Sequence, residues 1–275
     1  MKEFRNYNDK PLTLSQLSKI CPAAFASSAS NLVSSKYNFI STESIINILA
    51  KNNFFPHSAM QSGARSIEKK DTTKHMVKFR HSESRPQLEN AGGLIPEIVL
   101  MTSHDGQSSF RFMSGIFRFV CLNGLIKADL NSSINIRHVG CNESDVIDAV
   151  FEVLESSNNG LAISSEMQKI ALTESQKFDF ASEAYNLRFD DQIFEDFSPL
   201  QLLTARRYAD KSDNLFHIFN AAQENLIRGG IRVYKRDQKG KLSLSRTRAV
   251  NSIDANLKIN KGLWSLAEKY LNSAT

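Results

Sequence analysis

Residues 97–121 read EIVLMTSHDGQSSFRFMSGIFRFVC, and this stretch decides the fold class. Its two halves are rich in the β-branched and aromatic side chains that favour strands, and His104-Asp105-Gly106 supplies a turn between them. The pattern predicts strands over residues 97–102 and 109–121. Consecutive strands joined by a short connection pair antiparallel, so the sequence predicts an antiparallel sheet. Gly115 interrupts the longer strand, and we expect a bulge or a sharp bend there.

Two further alternating stretches, residues 75–81 and 134–138, predict strands on either side, which gives a sheet of about four strands. Helical spacing of apolar side chains predicts two helices ahead of the sheet, over residues 12–20 and 42–52. The sequence Phe54-Phe55-Pro56-His57 is expected to end the second of these helices. The polar residues 58–74 that follow are expected to form a surface loop.

The helical period returns from Ser144 onward. It predicts a helix from that residue and further helices over residues 166–173, 174–187, 213–228 and 260–272. The predicted fold class is α+β, with an antiparallel sheet of about four strands in the N-terminal half and a helical C-terminal half that carries a basic β-hairpin. We expect a single α+β domain over residues 1–275, with a subdivision into a sheet-containing part, 1–142, and a mainly helical part, 143–275.

The composition indicates a folded protein without membrane or secretory signals. No run approaches the roughly 18 apolar residues of a membrane helix, and the start MKEFRNYNDKPLTLSQL lacks an apolar signal segment, so we expect a cytoplasmic protein with no membrane partner. Cys21, Cys121 and Cys141 have no close pairing, which predicts reduced thiols and neither a disulfide framework nor a thiolate metal site. The common motifs for phosphate loops, dinucleotides and serine nucleophiles are missing, so an enzyme is disfavoured though not excluded, and no cofactor is expected.

Charge is unevenly distributed along the chain. Residues 1–100, 101–200 and 201–275 carry net charges of +5, −8 and +8. An uneven charge distribution affects which partners a protein attracts and how fast it associates with them, and it does not determine the fold. The basic and acidic blocks either pair with each other or face different partners, and the sequence leaves both open.

The densest basic stretch is RGGIRVYKRDQKGKLSLSRTR at residues 228–248, which holds eight Lys or Arg side chains against the single acid Asp237. It is expected to form a two-stranded ribbon that turns at residues 237–240. Cationic side chains on a slender ribbon can follow a phosphate backbone, so nucleic acid is the expected partner. The candidate nucleic-acid-binding residues of this segment are Arg228, Arg232, Lys235, Arg236, Lys239, Lys241, Arg246 and Arg248. The alternative is an exposed loop that charge keeps soluble.

Aromatic and arginine side chains alternate in Phe110-Arg111-Phe112 and in Phe117-Arg118-Phe119. Exposed rings could stack bases while guanidinium groups bind phosphates, as in many proteins that bind single strands on a sheet. Alternation equally predicts an ordinary core strand with the phenylalanines inside and the arginines outside, and this interpretation is favoured. Arg111 and Arg118 remain candidates for phosphate contacts under both interpretations.

Four histidines could form a site, though their spacing matches no metal signature. In a strand over residues 75–81, His75 and His81 share one face, and His104 and His138 could approach them across the sheet. Hydrogen-bonded structural histidines are the favoured interpretation, so no metal site is predicted. The acidic residues Asp190, Asp191, Glu195 and Asp196 could hold Mg²⁺, but they indicate more simply a solvated loop.

Several longer motifs resemble one known family, the phage/plasmid-like domain of unknown function 932. The similarity lies in the run from Ile98 through His104-Asp105-Gly106 to Leu125, in FHIFNAAQENLIRGG at residues 216–230, in Arg248 and in LWSLAE at residues 263–268. Residues 55–58 and 74–80 look similar to the earlier portion of the family. The resemblance implies residence on plasmids, prophages or genomic islands in bacteria. It transfers no catalytic residues.

Three functional hypotheses follow. The first is a nucleic-acid binding protein of a mobile genetic element that engages single-stranded DNA in replication, recombination or maintenance, without chemistry of its own. The second is a host-directed interaction or anti-defence protein whose polarised charge binds a protein partner. The third is a metal-dependent nuclease built on the His and Asp groups. A homo-oligomer is compatible with each of them.

Overall fold

The structure is a computed structural model that describes residues 4–5, 10–64, 70–84, 93–118, 123–127, 134–136, 143–190, 194–236 and 239–274. The N-terminal elements are β1 (Phe4–Arg5), α1 (Leu14–Ile20), α2 (Thr42–Lys51), β2 (Phe54–Gln61), β3 (His75–His81), β4 (Leu94–Thr102), β5 (Phe110–Arg118), β6 (Asn123–Lys127) and β7 (Ile134–Ile136). The later elements are α3 (Glu143–Met167), α4 (Glu174–Phe189), α5 (Leu215–Arg228), β8 (Arg232–Arg236), β9 (Leu242–Arg246) and α6 (Ile253–Ala274). Three short 3₁₀ helices cover Pro22–Phe25, Pro199–Leu203 and Tyr208–Asp210. The α+β prediction is confirmed.

The chain divides into two compact units. The first comprises Met1–Leu88, Gly93–Gly160 and Asn251–Ile253, and the second comprises Glu89–Gly92, Leu161–Val250 and Asp254–Thr275. The division falls inside α3, after Gly160. The expectation of one domain with a subdivision at residue 142 stays a prediction.

The first unit is built around an antiparallel sheet. Among the described residues it has seven strands, paired in the order β1-β2-β3-β4-β5-β6, with β7 pairing the start of β5. The four predicted strands correspond to β3, β4, β5 and β7, and the bounds of β3 are those predicted. Three strands that the alternation did not reveal, namely β1, β2 and β6, complete the sheet.

The strand β2 occupies a stretch that we expected to end a helix and then form a surface loop. That expectation is wrong for residues 54–61, because Phe54 begins a strand that pairs with β3, and Ser58, Ala59 and Met60 are buried. The ladder shifts register between Pro56 and Ser58. A bulge tolerates a proline, which lacks a backbone N–H for the ladder, and so Pro56 marks an irregular strand rather than the absence of one.

Gly115 lies in a regular part of the ladder between β4 and β5, so the predicted bulge is wrong. The pairing of β4 with β5 runs without a shift from Leu94 opposite Arg118 to Met101 opposite Arg111. A Cβ atom at position 115 would lie 2.9 Å from Cγ2 of Val99 and 3.3 Å from Cβ of Glu97. The glycine therefore makes room for β4, since a neighbouring backbone that approaches closely is the other reason for a glycine inside a strand.

One face of the sheet forms the hydrophobic core of the first unit. Central strands contribute Val77, Phe79, Ile98, Leu100, Phe110 and Phe112. The helices α1, α2 and α3 cover this face with Leu17, Ile45, Ile46, Leu49, Val146, Val150 and Val153. The helical spacing of the last three puts them on one stripe of α3, as the sequence predicted.

The helices of the second unit agree with the sequence in position but not always in length. The predicted helices over residues 174–187 and 213–228 correspond to α4 and α5. A separate helix over residues 166–173 does not form, because α3 continues to Met167 and Thr173 caps α4. The last helix, α6, begins at Ile253, seven residues before the predicted start at 260. No described helix combines the length and the apolar character that crossing a membrane requires.

Candidate nucleic-acid interface

The basic hairpin, β8 and β9 with their connection, is fixed at its base to the end of α5. Gly229 ends α5 with φ of 63°, and a Cβ atom there would lie 2.6 Å from the carbonyl oxygen of Thr247. Gly229 is therefore required both by its left-handed backbone and by the close approach of the returning chain. The Gly230 N–H donates to the carbonyl of Thr247 at 2.7 Å, and the Thr247 N–H donates to Ile231 at 2.9 Å.

The two faces of the hairpin differ in exposure. Directly opposed residues share a face, and the register pairs Arg232 with Arg246, Tyr234 with Leu244 and Arg236 with Leu242. All six of these side chains are exposed, and we call them the exposed hairpin face. The opposite face turns inward at Val233, which is 1% exposed.

The exposed hairpin face combines positive charge with apolar surface. Its three guanidinium groups alternate with Tyr234, Leu242 and Leu244, whose side chains are 39%, 43% and 59% exposed. At a strand rise of about 3.3 Å, the five residues of each strand give a surface about 13 Å long, on two strands about 4.8 Å apart. Large exposed apolar side chains within a basic surface are typical of interaction sites rather than of a merely solvated loop.

An acidic and aromatic segment lies along the outer edge of β8. Glu195 forms an isolated antiparallel bridge with Tyr234, in which the Glu195 N–H donates at 2.9 Å and the Tyr234 N–H donates back at 3.3 Å. The Arg236 Nε lies 3.1 Å from Oε1 of Glu195, and Lys235 Nζ lies 4.9 Å from the centre of the Phe194 ring. Both members of this ion pair are about half exposed, so it contributes at most about 1 kcal/mol.

Arg228 is exposed and pairs with a buried carboxylate one turn earlier on α5. Its NH1 atom lies 2.7 Å from Oε1 of Glu224, which is 3% exposed. The same carboxylate accepts two hydrogen bonds from Arg207, at 2.6 and 3.0 Å. Arg228 is therefore a partner of Glu224, but it shares that single carboxylate with Arg207, and its own side chain is 42% exposed.

The other predicted cations of the segment lie around the hairpin. Lys239, Lys241 and Arg248 are exposed, and Lys235 lies on the opposite face from Arg236. Gly240 has φ of 79°, which agrees with the predicted turn, although residues 237 and 238 lie outside the described residues.

The arginines of β5 point in opposite directions. Arg111 is exposed, and its Nε donates to the Ser109 hydroxyl at 2.7 Å. Arg118 is 0% exposed, so its side chain cannot reach a polyanion at the surface, and we remove it from the candidate residues. Phe110 and Phe112 are buried in the core, as the favoured interpretation of that strand expected. Phe119 and the side chain of Phe117 lie outside the part of the chain that the structure describes.

Two of the four histidines meet around one buried hydroxyl. Thr42 Oγ1 lies 3.0 Å from Nε2 of His75 and 3.2 Å from Nε2 of His104. Because the Thr73 carbonyl 3.0 Å from His75 Nδ1 can only accept, we assign the His75 proton to Nδ1, and the Thr42 hydroxyl then donates to Nε2. Burial lowers the pKa of His75 to about 4. These histidines are structural, as favoured from the sequence.

The remaining sequence candidates do not come together. His81 contacts the ring of Phe54, with ring centres 4.9 Å apart, and His138 lies outside the described residues. Of the acidic group, Glu195 binds Arg236, and Asp191 is likewise not described. In the described part of the chain, no three His, Cys, Asp or Glu side chains are grouped so that they could hold a metal ion.

A cleft of about 830 Å³ in the first unit is a second concave surface. It is lined by Ser18, Pro22, Asp71, Thr72 and the Ser- and Ala-rich residues 25–32. Its lining contains no Lys or Arg among the described residues, so it offers nothing that would attract phosphates.

Sequence reasoning missed the apolar part of the exposed hairpin face. It selected the cations and did not include Tyr234, Leu242 and Leu244 among the candidate residues. The signal was present in the period of two in RVYKR and LSLSR, which places these three side chains beside the arginines and sets Lys235 apart.

Comparison with known proteins finds uncharacterised relatives. The family described as Domain of unknown function (DUF932) matches residues 29–264. The UPF0380 proteins YafZ and YfjQ of Escherichia coli (strain K12) are each 34% identical to the chain over 266 residues, which cover 96% of this chain and 93% of theirs. No solved structure matches.

Proposed function

The chain belongs to the DUF932 family of domains of unknown function, which supplies no activity, and from the geometry of the hairpin we propose that it binds single-stranded DNA. The protein acts by binding and contributes no chemistry of its own. The observation that carries the proposal is the exposed hairpin face, where Arg232, Arg236 and Arg246 alternate with Tyr234, Leu242 and Leu244.

The charges account for affinity. Each guanidinium that contacts a phosphate releases condensed counterions, so binding weakens as salt rises. Arg232 and Arg246 are directly opposed at the base of the hairpin, and Arg236 lies about 13 Å further along β8. The three groups thus offer phosphate contacts at two positions along the hairpin, a pair of arginines at the base and Arg236 further along.

The apolar side chains account for the preference for single strands. In a duplex the base faces are stacked inside, whereas a single strand exposes them to side chains. Tyr234 offers a ring for stacking, and Leu242 and Leu244 extend the apolar surface beside it. Phosphate contacts alone would not distinguish the two forms of DNA.

The biological setting belongs to the same proposal. We place the protein in the bacterial cytoplasm, encoded by a plasmid or prophage and acting in replication, recombination or maintenance of that element. The resemblance in the sequence supports this setting. A metal-dependent nuclease has no supporting observation, since the histidines that meet are joined through Thr42.

The test is a fluorescence anisotropy titration with a labelled 20-nucleotide oligothymidine and a duplex of equal length, at several salt concentrations. We expect tighter binding of the single strand and a loss of affinity as salt rises. The triple variant Arg232→Gln, Arg236→Gln, Arg246→Gln should bind at least about tenfold more weakly, with a shallower salt dependence, because three phosphate contacts are lost.

The matched control removes the same charge elsewhere. Lys10, Lys19 and Lys36 are exposed on the first unit, and changing all three to Gln lowers the net charge equally. This control should bind nearly as well as the unchanged protein. Equal losses in the two triple variants, or no binding by the unchanged protein, would contradict the proposal.

A further inference from the structure

The free edge of β9 consists of outward backbone groups and borders the exposed hairpin face, to which the side chains of Leu242, Leu244 and Arg246 belong. The N–H of Thr247 donates to Ile231 inside the hairpin, and in an antiparallel ladder the inward hydrogen-bonded pairs recur at every second residue. The pairs Val233–Ser245 and Lys235–Ser243 therefore bond inward. It follows that the backbone groups of residues 232, 234 and 236 point outward on β8, and those of residues 242, 244 and 246 point outward on β9.

The outward edge of β8 shows what such an edge binds in this protein. Both backbone groups of Tyr234 are taken by Glu195, and the carboxylate of Glu195 pairs with Arg236. Lys235 lies over the ring of Phe194, next to that carboxylate in sequence. An acidic and aromatic segment is thus bound by backbone pairing and by charge together.

The edge of β9 has the same chemistry. Among the described residues no strand lies beside β9 on the side away from β8. Leu242 and Leu244 present exposed apolar side chains along this edge, and Lys241 and Arg246 lie at its two ends. An edge with outward N–H and C=O groups and exposed apolar side chains is a template for an added strand.

We propose that the β9 edge binds an extended, acidic segment of a partner protein by strand addition. Lys241 and Arg246, at the two ends of the edge, favour acidic side chains in the partner. The outward N–H and C=O groups of Leu242, Leu244 and Arg246 supply the backbone hydrogen bonds. A second copy of β9 is a poor occupant, because antiparallel pairing would bring Lys241 near Arg246 of the other strand. The inference does not depend on DNA binding, because the outward backbone groups of β9 carry it, although the side chains of Leu242, Leu244 and Arg246 belong to the exposed hairpin face as well.

The probe is a synthetic peptide with the sequence of residues 190–198, DDQIFEDFS, which contains the Phe-Glu pair seen on β8. Binding is followed by amide hydrogen exchange, resolved by NMR on the full-length protein. We expect the amides of Leu242, Leu244 and Arg246 to become protected, while those of Val233 and Ser245 change little. Protection centred on Tyr234 would mean exchange with the internal segment and would overturn the proposal, as would the absence of protection on β9.

A proline variant tests the backbone directly. Leu244→Pro removes one outward N–H and leaves the inward ladder intact, which an edge strand tolerates. Its affinity for the peptide should fall about fivefold to tenfold, whereas Leu244→Thr, which keeps the N–H, should lose less than about threefold. Leu242→Pro is the second variant, should the first disturb the hairpin. Equal affinities of the proline and threonine variants would overturn the proposal, and so would equal binding of a peptide with its four acids changed to Lys.

Discussion

The sheet and the hairpin carry similar alternating sequences, yet their cations have opposite environments. In HMVKFRH of β3, Lys78 and Arg80 are 2% and 4% exposed, whereas in RVYKR of β8 the side chains of Arg232, Lys235 and Arg236 are all exposed. Alternation decides which side chains share a face, but a strand paired on both sides within a large sheet can be covered on both faces. Alternation alone therefore does not show whether a basic residue in a strand is exposed. Arg111 lies on β5, which is paired on both sides, and is exposed, whereas Arg118 of the same strand is buried.

The carboxylates that meet these cations differ in the same way. Arg80 and Glu97 lie 2.8 Å apart, and both are almost fully buried. Arg236 and Glu195 lie 3.1 Å apart and are about half exposed. Water screens the second pair and not the first, so removal of one partner has very different costs in the two regions. This contrast orders the predictions that follow.

The largest effect is expected for Glu97→Ala. The change leaves the buried charge of Arg80 without this carboxylate, which costs about 3–5 kcal/mol in the free energy of unfolding. Urea denaturation at neutral pH measures it. The double variant Arg80→Met, Glu97→Leu removes both charges and should recover most of the loss. A loss below about 1 kcal/mol for Glu97→Ala would show that the two regions do not differ.

Acid should weaken the sheet through His75. Burial holds the pKa of His75 at about 4 in the folded protein, against an ordinary value of 6.5 when unfolded. Below pH 6.5 the unfolded chain binds the proton more readily, so the stability conferred by neutral His75 falls with pH and is lost at about pH 4. The difference corresponds to about 3 kcal/mol. His75→Gln should lower stability at pH 7 and flatten this dependence in denaturation series, and an unchanged pH dependence would contradict the prediction.

Tyr234→Ala should affect binding rather than folding. Loss of a stacked ring costs about 1–3 kcal/mol for each base contacted, which weakens oligothymidine binding about fivefold to a hundredfold. Duplex affinity should change little, because stacked bases do not reach the ring. Tyr234→Phe keeps the ring and is the control for the anisotropy titration. If both variants bind single-stranded and duplex DNA more weakly, Tyr234 stabilises the structure of the hairpin and does not stack on bases.

The smallest effect is expected for Glu195→Gln. The exposed ion pair with Arg236 contributes at most about 1 kcal/mol, so the unfolding free energy should change by less than that. Release of Arg236 from the carboxylate should tighten oligothymidine binding up to about fivefold at low salt, and the gain should shrink as salt rises. Weaker binding in this variant would contradict the placement of Arg236 in the interface.

The sequence predicted the fold class because alternation and helical spacing are local properties. Strand β3, helix α5 and the basic hairpin were all placed correctly from these patterns. Strand β2 was missed because Pro56 and the polar residues after it resemble a loop, and only pairing with β3 explains their burial. The alternation of side chains could not show why a glycine occupies position 115 either, since the reason is the close approach of Val99 on the neighbouring strand.

The sequence predicted which basic residues the candidate site contains, but it did not predict how they are arranged or which of them are exposed. A count of Lys and Arg does not consider acids, and so it overlooked Glu224, which lies four residues before Arg228 on the predicted helix and pairs with it. Nor could it show that Arg118 is buried, which requires knowledge of what covers the sheet. Pairing of the hairpin strands brought Tyr234 and Leu244 together, and that register follows only from the turn.

The hairpin is held at its base and along the outer edge of β8, so its two strands are restrained unequally. Arg188 donates hydrogen bonds to the carbonyls of Leu226 and Arg248, so one side chain ties together the helix before the hairpin and the chain after it. Glu195 in addition bridges Tyr234 and pairs with Arg236, so motion should be larger on β9, beside whose outer edge no described strand lies. The tip should also accept extra residues at little thermodynamic cost, since doubling a loop adds only about 0.6 kcal/mol. A fluorophore attached beside Gly240 would report on the motion of the hairpin without disturbing the hydrogen bonds of Arg188 at its base.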